Sequence, residues 1–229
     1  MIRAVVFDLD NTLVDFMRMK RNSVEAGVHA MIDAGLQSSK EEIDATIKSI
    51  YDEKGIEYQH VFNGMLQRLL GAVDYKILAS GIIAYRRARE ATLVPYPYVQ
   101  PTLFTLARMG LKLGVVSDAP PLEAWLRLCA LNLHHIFDTV VTFQDTGVRK
   151  PDPAPFRRVL EQLGVTPGEA IMVGDWEERD IAGAANVGMI TAFARYGDTF
   201  ATPSTKAMYE LTEIRQLVDI IRERNSSAA

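Results

Sequence analysis

The sequence predicts an α/β fold in which a doubly wound parallel sheet carries an inserted α-helical module. Apolar runs of strand type occur at residues 4–7, 111–116, 139–142 and 171–173. Helical patterns lie between the later runs, and strands that alternate with helices are typical of parallel sheets covered on both faces. After the first run, by contrast, helical patterns follow one another without a strand, which indicates the insertion.

The insertion is predicted to contain four helices. The first pattern stops at Gly35, the second begins at a capping box formed by Ser39 and Glu42, and the third stops at Gly71. A fourth apolar stripe reaches Tyr85, and these stripes indicate helix–helix packing. Four helices are too long for an ordinary crossover between parallel strands, so a separate domain is expected.

These patterns divide the chain into two expected domains. The helical module spans residues 16–94, and the sheet domain is discontinuous, with residues 1–15 and 95–229. Pro95 and Pro97 restrict the backbone at the exit, as a hinge would. Further along, the patterns predict helices at residues 101–109, 122–131, 155–163, about 180–187 and 213–224, and late edge strands at 191–194 and 208–211.

Composition and hydropathy indicate the localisation of the protein and exclude some classes of partner. The 48% of hydrophobic residues allow a substantial core, and the net charge of −4 argues against a basic nucleic-acid-binding face. No apolar run approaches the roughly 20 residues that cross a bilayer, and no secretory signal precedes the first strand. Cys129 is the only cysteine, so an intramolecular disulfide is excluded, and its helical pattern predicts a buried thiol. We therefore expect a cytoplasmic protein with no nucleic-acid or membrane partner, and the oligomeric state stays open.

The most informative residues are Asp8 and Asp10, at the end of the first strand. Side chains two positions apart on a strand point the same way, so two charged carboxylates here would repel each other. A metal ion, a neighbouring cation or a reaction is the usual compensation. A polar loop that merely ends a strand is the alternative when the pair is taken alone.

Three later strands also lead into polar or charged groups. Ser117 and Asp118 follow the second strand, Lys150 lies in the loop after the third, and Asp175 follows the fourth, with Asp180 a few residues on. Ligands of open α/β sheets bind beyond the carboxyl ends of the strands. These groups are therefore expected to converge on one site with the first pair of carboxylates.

In this order and spacing, the motifs resemble those of the haloacid dehalogenase-like (HAD) hydrolase superfamily, in particular its phosphatases with a C1-type helical cap. The family's D-x-D-x-T motif reads Asp8-Leu9-Asp10-Asn11-Thr12 here, its G-D-x-x-x-x-D motif runs from Gly174 to Asp180, and its Ser and Lys are Ser117 and Lys150. The resemblance spans most of the chain. It implies a Rossmann-like HAD core whose first strand lies between the strands of the Ser and G-D motifs, with the helical module as the cap.

Metal binding is expected from the charges and from the resemblance. Several carboxylates that converge beside one lysine require a hard divalent cation, and Mg²⁺ suits few carboxylates, waters and a substrate phosphate. The resemblance implies that the side chains of Asp8 and Asp175 and the backbone carbonyl of Asp10 bind Mg²⁺. It also implies that Asp180 lies behind the metal ligands and orients water or Asp175, while Thr12 shapes the turn.

The resemblance likewise implies chemistry through an aspartyl-phosphate. Asp8 would attack phosphorus, and Asp10 would protonate the leaving oxygen and later take a proton from the hydrolytic water. Ser117 would hydrogen-bond a phosphoryl oxygen, and Lys150 would neutralise charge on Asp8 and on the phosphoryl group.

Substrate contacts are expected from both domains. The backbone N–H groups of Leu9 and Asp118 would bind the phosphoryl group. In C1-capped relatives a break between cap helices forms a specificity loop, so Tyr58 and His60, which lie in such a break, are candidate substrate contacts. The expected substrate is a small phosphorylated metabolite: a sugar or triose phosphate such as glyceraldehyde 3-phosphate, phosphoglycolate or a nucleotide.

Three alternatives to a phosphatase remain at this point. A 2-haloacid dehalogenase shares the fold and the first Asp, but its chemistry needs no leaving-group acid, and those relatives lack the second Asp that is Asp10 here. A phosphomutase would carry the same motifs. A regulator that binds a phosphometabolite without catalysis would not need the intact set of motif residues.

Overall fold

In the computed structural model, which describes residues 1–227, the chain forms two compact units. The helical unit is Arg18–Thr92, and the sheet unit consists of Met1–Met17 together with the chain from Leu93 onward. The sheet unit is therefore assembled from two separate stretches of sequence.

A six-stranded parallel sheet forms the centre of the sheet unit. Its strands are β1 (Ala4–Phe7), β2 (Lys112–Val116), β3 (Thr139–Val141), β4 (Ala170–Gly174), β5 (Ile190–Ala194) and β6 (Tyr209–Leu211). The strand order is β3-β2-β1-β4-β5-β6. The first strand therefore lies between the strands of the Ser and G-D motifs, which confirms the order that the family resemblance implied.

Helices cover the sheet and build the whole helical unit. The first four are α1 (Phe16–Asp33), α2 (Lys40–Lys54), α3 (Val61–Leu70) and α4 (Tyr75–Thr92). The sheet unit continues with α5 (Val99–Arg108), α6 (Pro121–Ala130), α7 (Phe143–Thr146), α8 (Pro153–Leu163), α9 (Ala182–Asn186) and α10 (Gln216–Ser226). Among residues 1–227 no helix is long and apolar enough to cross a membrane.

The register of the central strands aligns their carboxyl ends. Phe7 of β1 lies opposite Val115 of β2 and Val173 of β4. All residues of β1 and β4 are buried, as expected for parallel strands covered on both faces. Val6 and Met172 of these strands pack with Phe156 of α8 in one apolar cluster. The residues that follow the three strands therefore emerge at the same level.

The two sides of the insertion are joined within the sheet unit. The backbone N–H of Asp15 donates to the Val94 carbonyl at 3.3 Å, and the backbone N–H of Tyr96 donates to the Leu13 carbonyl at 3.0 Å. Val14 also forms an antiparallel bridge with Pro95. The chain thus leaves the sheet unit and returns to it at neighbouring positions.

The helical unit has its own apolar interior. The capping box of Ser39 and Glu42 is present at the start of α2, as predicted. The buried cluster consists of Val28, Met31, Leu36, Ile43, Ile47, Ile50, Val61, Phe62, Met65, Leu66, Ile77 and Leu78. Lys20 is a buried polar residue of this unit, and its Nζ lies 3.3 Å from the Tyr85 hydroxyl.

Several details differ from the expectations. The strand at 190–194 is not an edge strand, because β6 pairs along its outer side. A π-helical turn, Glu177–Ile181, precedes α9 where one continuous helix was expected. The short helix α7 occupies part of the segment that was expected to be only a loop. Cys129 is exposed, so the prediction of a buried thiol was wrong, because the buried side of α6 is formed by Ala124, Arg127 and Leu128.

Candidate active site

The D-x-D-x-T motif forms a tight loop at the end of β1. The backbone N–H of Asp8 donates to the Val173 carbonyl at 2.9 Å, which ties the residue to β4. The chain then turns back, with the N–H of Leu13 donating to the Leu9 carbonyl at 2.9 Å. Asn11 adopts the left-handed conformation at φ 59°, which asparagine tolerates better than most residues. Asp8 and Leu9 are consequently buried at the base of the loop.

Ser117 lies at the end of β2, next to this loop. Its backbone N–H donates to the Val141 carbonyl of β3 at 2.9 Å. Its hydroxyl accepts a hydrogen bond from the backbone N–H of Ala119 at 3.1 Å, and the side chain is buried. The hydroxyl therefore has a defined position at the carboxyl end of the sheet.

Lys150 links the motifs together. Its buried Nζ donates to Asp8 Oδ1, to Asp180 Oδ1 at 2.6 Å and to the Val116 carbonyl at 3.1 Å. Its backbone N–H donates to Asp118 Oδ1 at 2.9 Å, which fixes the loop that carries it. Burial alone would lower the pKa of Lys150, but Asp180 and Asp8 raise this pKa above its ordinary value, so the lysine is charged.

The G-D motif supplies two further carboxylates. Thr12 donates its hydroxyl to Asp175 Oδ1 at 3.0 Å, and the backbone N–H of Trp176 donates to Asp180 Oδ2 at 3.0 Å. Gly174 allows Asp180 to come this close, because a Cβ at Gly174 would lie 2.4 Å from the Asp180 Cβ. Both oxygens of Asp180 are thus engaged by the protein, as expected for a residue that holds its neighbours in place.

We call Asp8, Lys150, Asp175 and Asp180 the carboxylate cluster. One oxygen from each of the three aspartates lies within 4.8 Å of the others, and all three are buried. Burial raises the pKa of Asp8 to about 8 although Lys150 opposes the rise. Burial, together with Asp8, raises the pKa of Asp175 well above its ordinary value. Buried carboxylates that exceed their cations in number fit a divalent metal ion with oxygen ligands.

Asp10 points into a different environment from Asp8. Its Oδ2 forms an ion pair with Arg127 Nη1 at 3.2 Å, and the side chains of Asp10 and Arg127 are 22% and 5% exposed. The guanidinium of Arg127 lies over the ring of Phe16, 4.5 Å from its centroid. Arg127 is not among the site residues predicted from the sequence. The available signal was an arginine at helical spacing between Ala124 and Leu128, on the buried side of α6.

Two arginines surround Asp118 at the rim of the site. Arg179 Nη1 lies 3.1 Å from Asp118 Oδ2, and its guanidinium stacks on the Trp176 ring at 3.9 Å. Arg149 donates to the Asp118 carbonyl oxygen at 2.6 Å. The side chain of Asp118 therefore serves to fix the loops of Lys150 and of the G-D motif.

The turn after β5 also supports the site, which the sequence patterns did not indicate. Tyr196 donates its hydroxyl to the Thr12 carbonyl at 2.9 Å. Gly197 lies so close to the motif loop that a Cβ there would be 1.6 Å from the Asn11 carbonyl oxygen. These contacts join residues far apart in the chain, so no local spacing rule could have found them.

The remaining predicted contacts, Tyr58 and His60, belong to the helical unit. They lie in the segment between α2 and α3, and their rings meet edge to face with centroids 5.9 Å apart. Tyr58 packs against the apolar cluster of the unit, whereas His60 is exposed.

The chain is similar to known proteins along nearly its whole length. A family model described as haloacid dehalogenase-like hydrolase matches residues 2–188. The glyceraldehyde 3-phosphate phosphatase of Methanopyrus kandleri is 35% identical over 229 residues, with 97% of this chain and 98% of that protein covered. The protein of the same name from Methanocaldococcus jannaschii is 35% identical over 225 residues, with 97% and 98% covered. A crystal structure of a HAD phosphatase from Thermococcus onnurineus has a TM-score of 0.69 at 29% identity and covers 96% of this chain and 98% of that chain.

The sheet topology and the buried acidic site define an α/β protein whose carboxylate cluster lies beyond the carboxyl ends of its strands. The motif residues that were predicted in the sheet unit meet there. The chain belongs to the haloacid dehalogenase-like hydrolase family, in its phosphatase branch.

Proposed function

We propose that this enzyme hydrolyses a small phosphomonoester in a Mg²⁺-dependent reaction that passes through a phosphorylated Asp8. The observation that carries the proposal is the position of Lys150 Nζ, which contacts Asp8 and Asp180 inside a buried group of carboxylates. A site of this charge repels a phosphate dianion unless a further cation is present. Lysine and metal together make the dianion bindable.

The residues that would hold the metal ion are Asp8 and Asp175, through their side chains, and Asp10, through its backbone carbonyl. When bound, Mg²⁺ would neutralise the carboxylates and the phosphoryl oxygens. Asp180 would keep Lys150 in place, since its two oxygens accept from Lys150 Nζ and from the Trp176 N–H. Thr12 would orient the Asp175 carboxylate.

In the first half of the reaction, a carboxylate oxygen of Asp8 forms a bond to phosphorus while the bond from phosphorus to the ester oxygen breaks. Asp10 gives its proton to the departing oxygen. In the second half, Asp10 takes a proton from the water that attacks phosphorus, which releases inorganic phosphate and restores Asp8. Lys150 and the Ser117 hydroxyl stabilise the charge on the phosphoryl oxygens, together with the backbone N–H groups of Leu9 and Asp118.

Glyceraldehyde 3-phosphate is the first substrate to test. The relatives from Methanopyrus kandleri and Methanocaldococcus jannaschii, which carry that activity in their names, match this chain over nearly all of its length. Phosphoglycolate, other sugar phosphates and nucleotides are the comparison substrates, because the motif residues recognise the phosphoryl group alone.

We further propose that residues 16–94 act as a cap and that Tyr58 and His60 contact the substrate. The support is chemical: an exposed imidazole and a phenol lie side by side at a break between helices, where a loop can adapt to a ligand. Tyr58→Ala and His60→Ala should then change kcat/KM unequally among small phosphoesters. Gln59→Ala is the matched control, and a common factor for every substrate in both variants would reject the specificity role.

The central experiment measures phosphate release from the panel of phosphoesters with Mg²⁺ and after exhaustive EDTA treatment. We expect turnover only with the metal, and the highest kcat/KM for a small phosphorylated aldehyde or acid. Acid quenching during turnover should trap a phosphoryl group on the peptide that contains Asp8, labile to hydroxylamine as an acyl phosphate is. Full activity in EDTA, or phosphorylation elsewhere, would contradict the proposal.

A further inference from the structure

The ion pair between Asp10 and Arg127 joins a motif residue to an arginine that belongs to none of the sequence motifs. Arg127 lies on the buried side of α6 beside Ala124 and Leu128. An arginine in such a position loses its hydration, so its presence needs a compensating partner. The Asp10 carboxylate is such a partner, with Nη1 and Oδ2 3.2 Å apart.

The position of Arg127 is restricted on more than one side. Its guanidinium lies over the Phe16 ring at 4.5 Å, within the range of a cation–π contact. Its side chain is only 5% exposed, so few alternative rotamers are accessible to it. A guanidinium that is itself immobilised can immobilise the carboxylate that it contacts.

We infer that Arg127 is a positioning residue that holds the Asp10 carboxylate in the orientation needed for proton transfer. This inference rests on the proposed function, in which Asp10 protonates the leaving oxygen. A proton donor must be placed within hydrogen-bond reach of the oxygen that it protonates. Without Arg127, the carboxylate of Asp10 loses this constraint and occupies the productive orientation for less of the time.

The effect of Arg127 on hydrolysis should depend on the leaving group of the substrate. An alkoxide departs poorly without a proton, so the hydrolysis of an alkyl phosphate depends strongly on Asp10. An aryl phosphate such as 4-nitrophenyl phosphate releases a stable anion and depends on Asp10 much less. Loss of Arg127 should therefore reduce kcat/KM for glyceraldehyde 3-phosphate more than kcat/KM for 4-nitrophenyl phosphate. A variant that is merely less folded would lose both activities by the same factor.

The test uses Arg127→Met in the full-length enzyme with Mg²⁺. The quantity measured is the ratio of kcat/KM for glyceraldehyde 3-phosphate to kcat/KM for 4-nitrophenyl phosphate. We expect this ratio to fall by about 10- to 100-fold relative to the unchanged enzyme, which is the size of effect that small misplacements cause. Arg127→Lys, which keeps the charge, should recover part of the ratio. Should Arg127→Met fold poorly, Phe16→Leu removes only the ring beneath the guanidinium and should lower the same ratio by a smaller factor.

Arg195→Met is the matched control. Arg195 also pairs with an aspartate, Asp198 at 2.9 Å, and in addition with Glu210 at 2.8 Å. Its guanidinium also lies over a phenylalanine ring, that of Phe193, at 4.6 Å. This variant removes the same kind of contact without touching Asp10. The ratio of the two kcat/KM values should therefore stay unchanged, and a fall as large as that of Arg127→Met would overturn the inference.

A double variant separates this inference from the proposed function. Asp10→Asn should lower the ratio by itself, and adding Arg127→Met to it should cause no further fall, since the inferred effect of Arg127 on this ratio is transmitted by the Asp10 carboxylate. If Asp10→Asn left the ratio unchanged, the proposed role of Asp10 would fail. If Asp10→Asn lowered the ratio but Arg127→Met did not, or if the two effects were additive, only the role of Arg127 would fail.

Discussion

The carboxylate cluster and the interior of the helical unit are both buried, but they consist of opposite kinds of side chain. The cluster of the helical unit is apolar throughout, so that burial and stability coincide there. The carboxylate cluster places three acids and a lysine out of solvent, which opposes folding unless each group is held by partners. The hydrogen bonds around the carboxylate cluster therefore hold its side chains in fixed positions, whereas the apolar contacts of the helical unit stabilise the folded state.

This contrast predicts that activity and stability respond to different substitutions. Changes in the carboxylate cluster should remove activity and leave the folded state intact. Changes in the interior of the helical unit should lower the free energy of unfolding.

The largest expected effect is that of Asp8→Asn. We expect kcat to fall at least about 10³-fold, because the substitution removes the proposed nucleophile. The melting temperature without metal should stay the same or rise, since burial and the neighbouring Asp180 disfavour a charged carboxylate at this position and the amide carries no charge. Turnover assays and thermal melts check both outcomes, and Asp44→Asn on the exposed face of α2 is the control. Turnover retained by Asp8→Asn would contradict the expectation that the carboxylate cluster is needed for activity.

Met65→Ala should show the opposite response. Met65 is fully buried in the helical unit, so its truncation should lower the free energy of unfolding by about 2–5 kcal/mol. Hydrolysis of 4-nitrophenyl phosphate at a temperature where the variant stays folded should change little. Tyr75→Ala, at a residue that is 78% exposed, should alter the stability by less than about 0.5 kcal/mol. Denaturant titrations measure both values, and equal losses would contradict the role of burial.

Alanine substitutions at Gly197 and Gly81 test how rigid the surroundings of each glycine are in the two regions. A Cβ at Gly197 would meet the Asn11 backbone carbonyl at 1.6 Å, whereas a Cβ at Gly81 would meet the Met31 side chain, with its Cε at 2.1 Å. Backbone cannot move aside as a methionine side chain can. Gly197→Ala should therefore destabilise by about 1–3 kcal/mol and reduce turnover. Gly81→Ala should destabilise less, because alanine favours a helix over glycine by about 0.8–1.0 kcal/mol. Unfolding titrations that gave the reverse order would contradict this reading.

The last prediction concerns the pH dependence of stability. Because burial raises the pKa of Asp8 to about 8 from 3.8, the metal-free folded protein binds a proton that the unfolded chain releases. Stability from this group is present at low pH and is lost as pH rises through about 8. The melting temperature in EDTA should therefore fall between about pH 4 and pH 8, and Mg²⁺ should raise it most at the alkaline end. Asp8→Asn should flatten the dependence, whereas a melting temperature that rose with pH would contradict the assignment.

The sequence was sufficient to predict the sheet and the convergence of Asp8, Lys150, Asp175 and Asp180, because the carboxyl ends of parallel strands lie at one edge. It was not sufficient for the supporting contacts. Arg127 looked like part of an ordinary helix, and its partner is remote in the chain. The approach of Gly197 to Asn11 likewise depends on tertiary packing, which no local period encodes. Cys129 was misplaced because the phase of α6 was taken from hydrophobicity, while a buried arginine occupies its inner side.

The backbone hydrogen bonds Asp15–Val94 and Leu13–Tyr96, which join the two ends of the insertion, bear on how enzymes of this fold diversify. Since the chain departs and returns at hydrogen-bonded neighbours, the ends of the insertion are already held together by the sheet unit. The entropy of closing a loop grows only slowly with its length, so insertions of very different size fit the same pair of ends. Recombination at this point can thus exchange one helical unit for another while every strand and every acidic group of the sheet unit keeps its register.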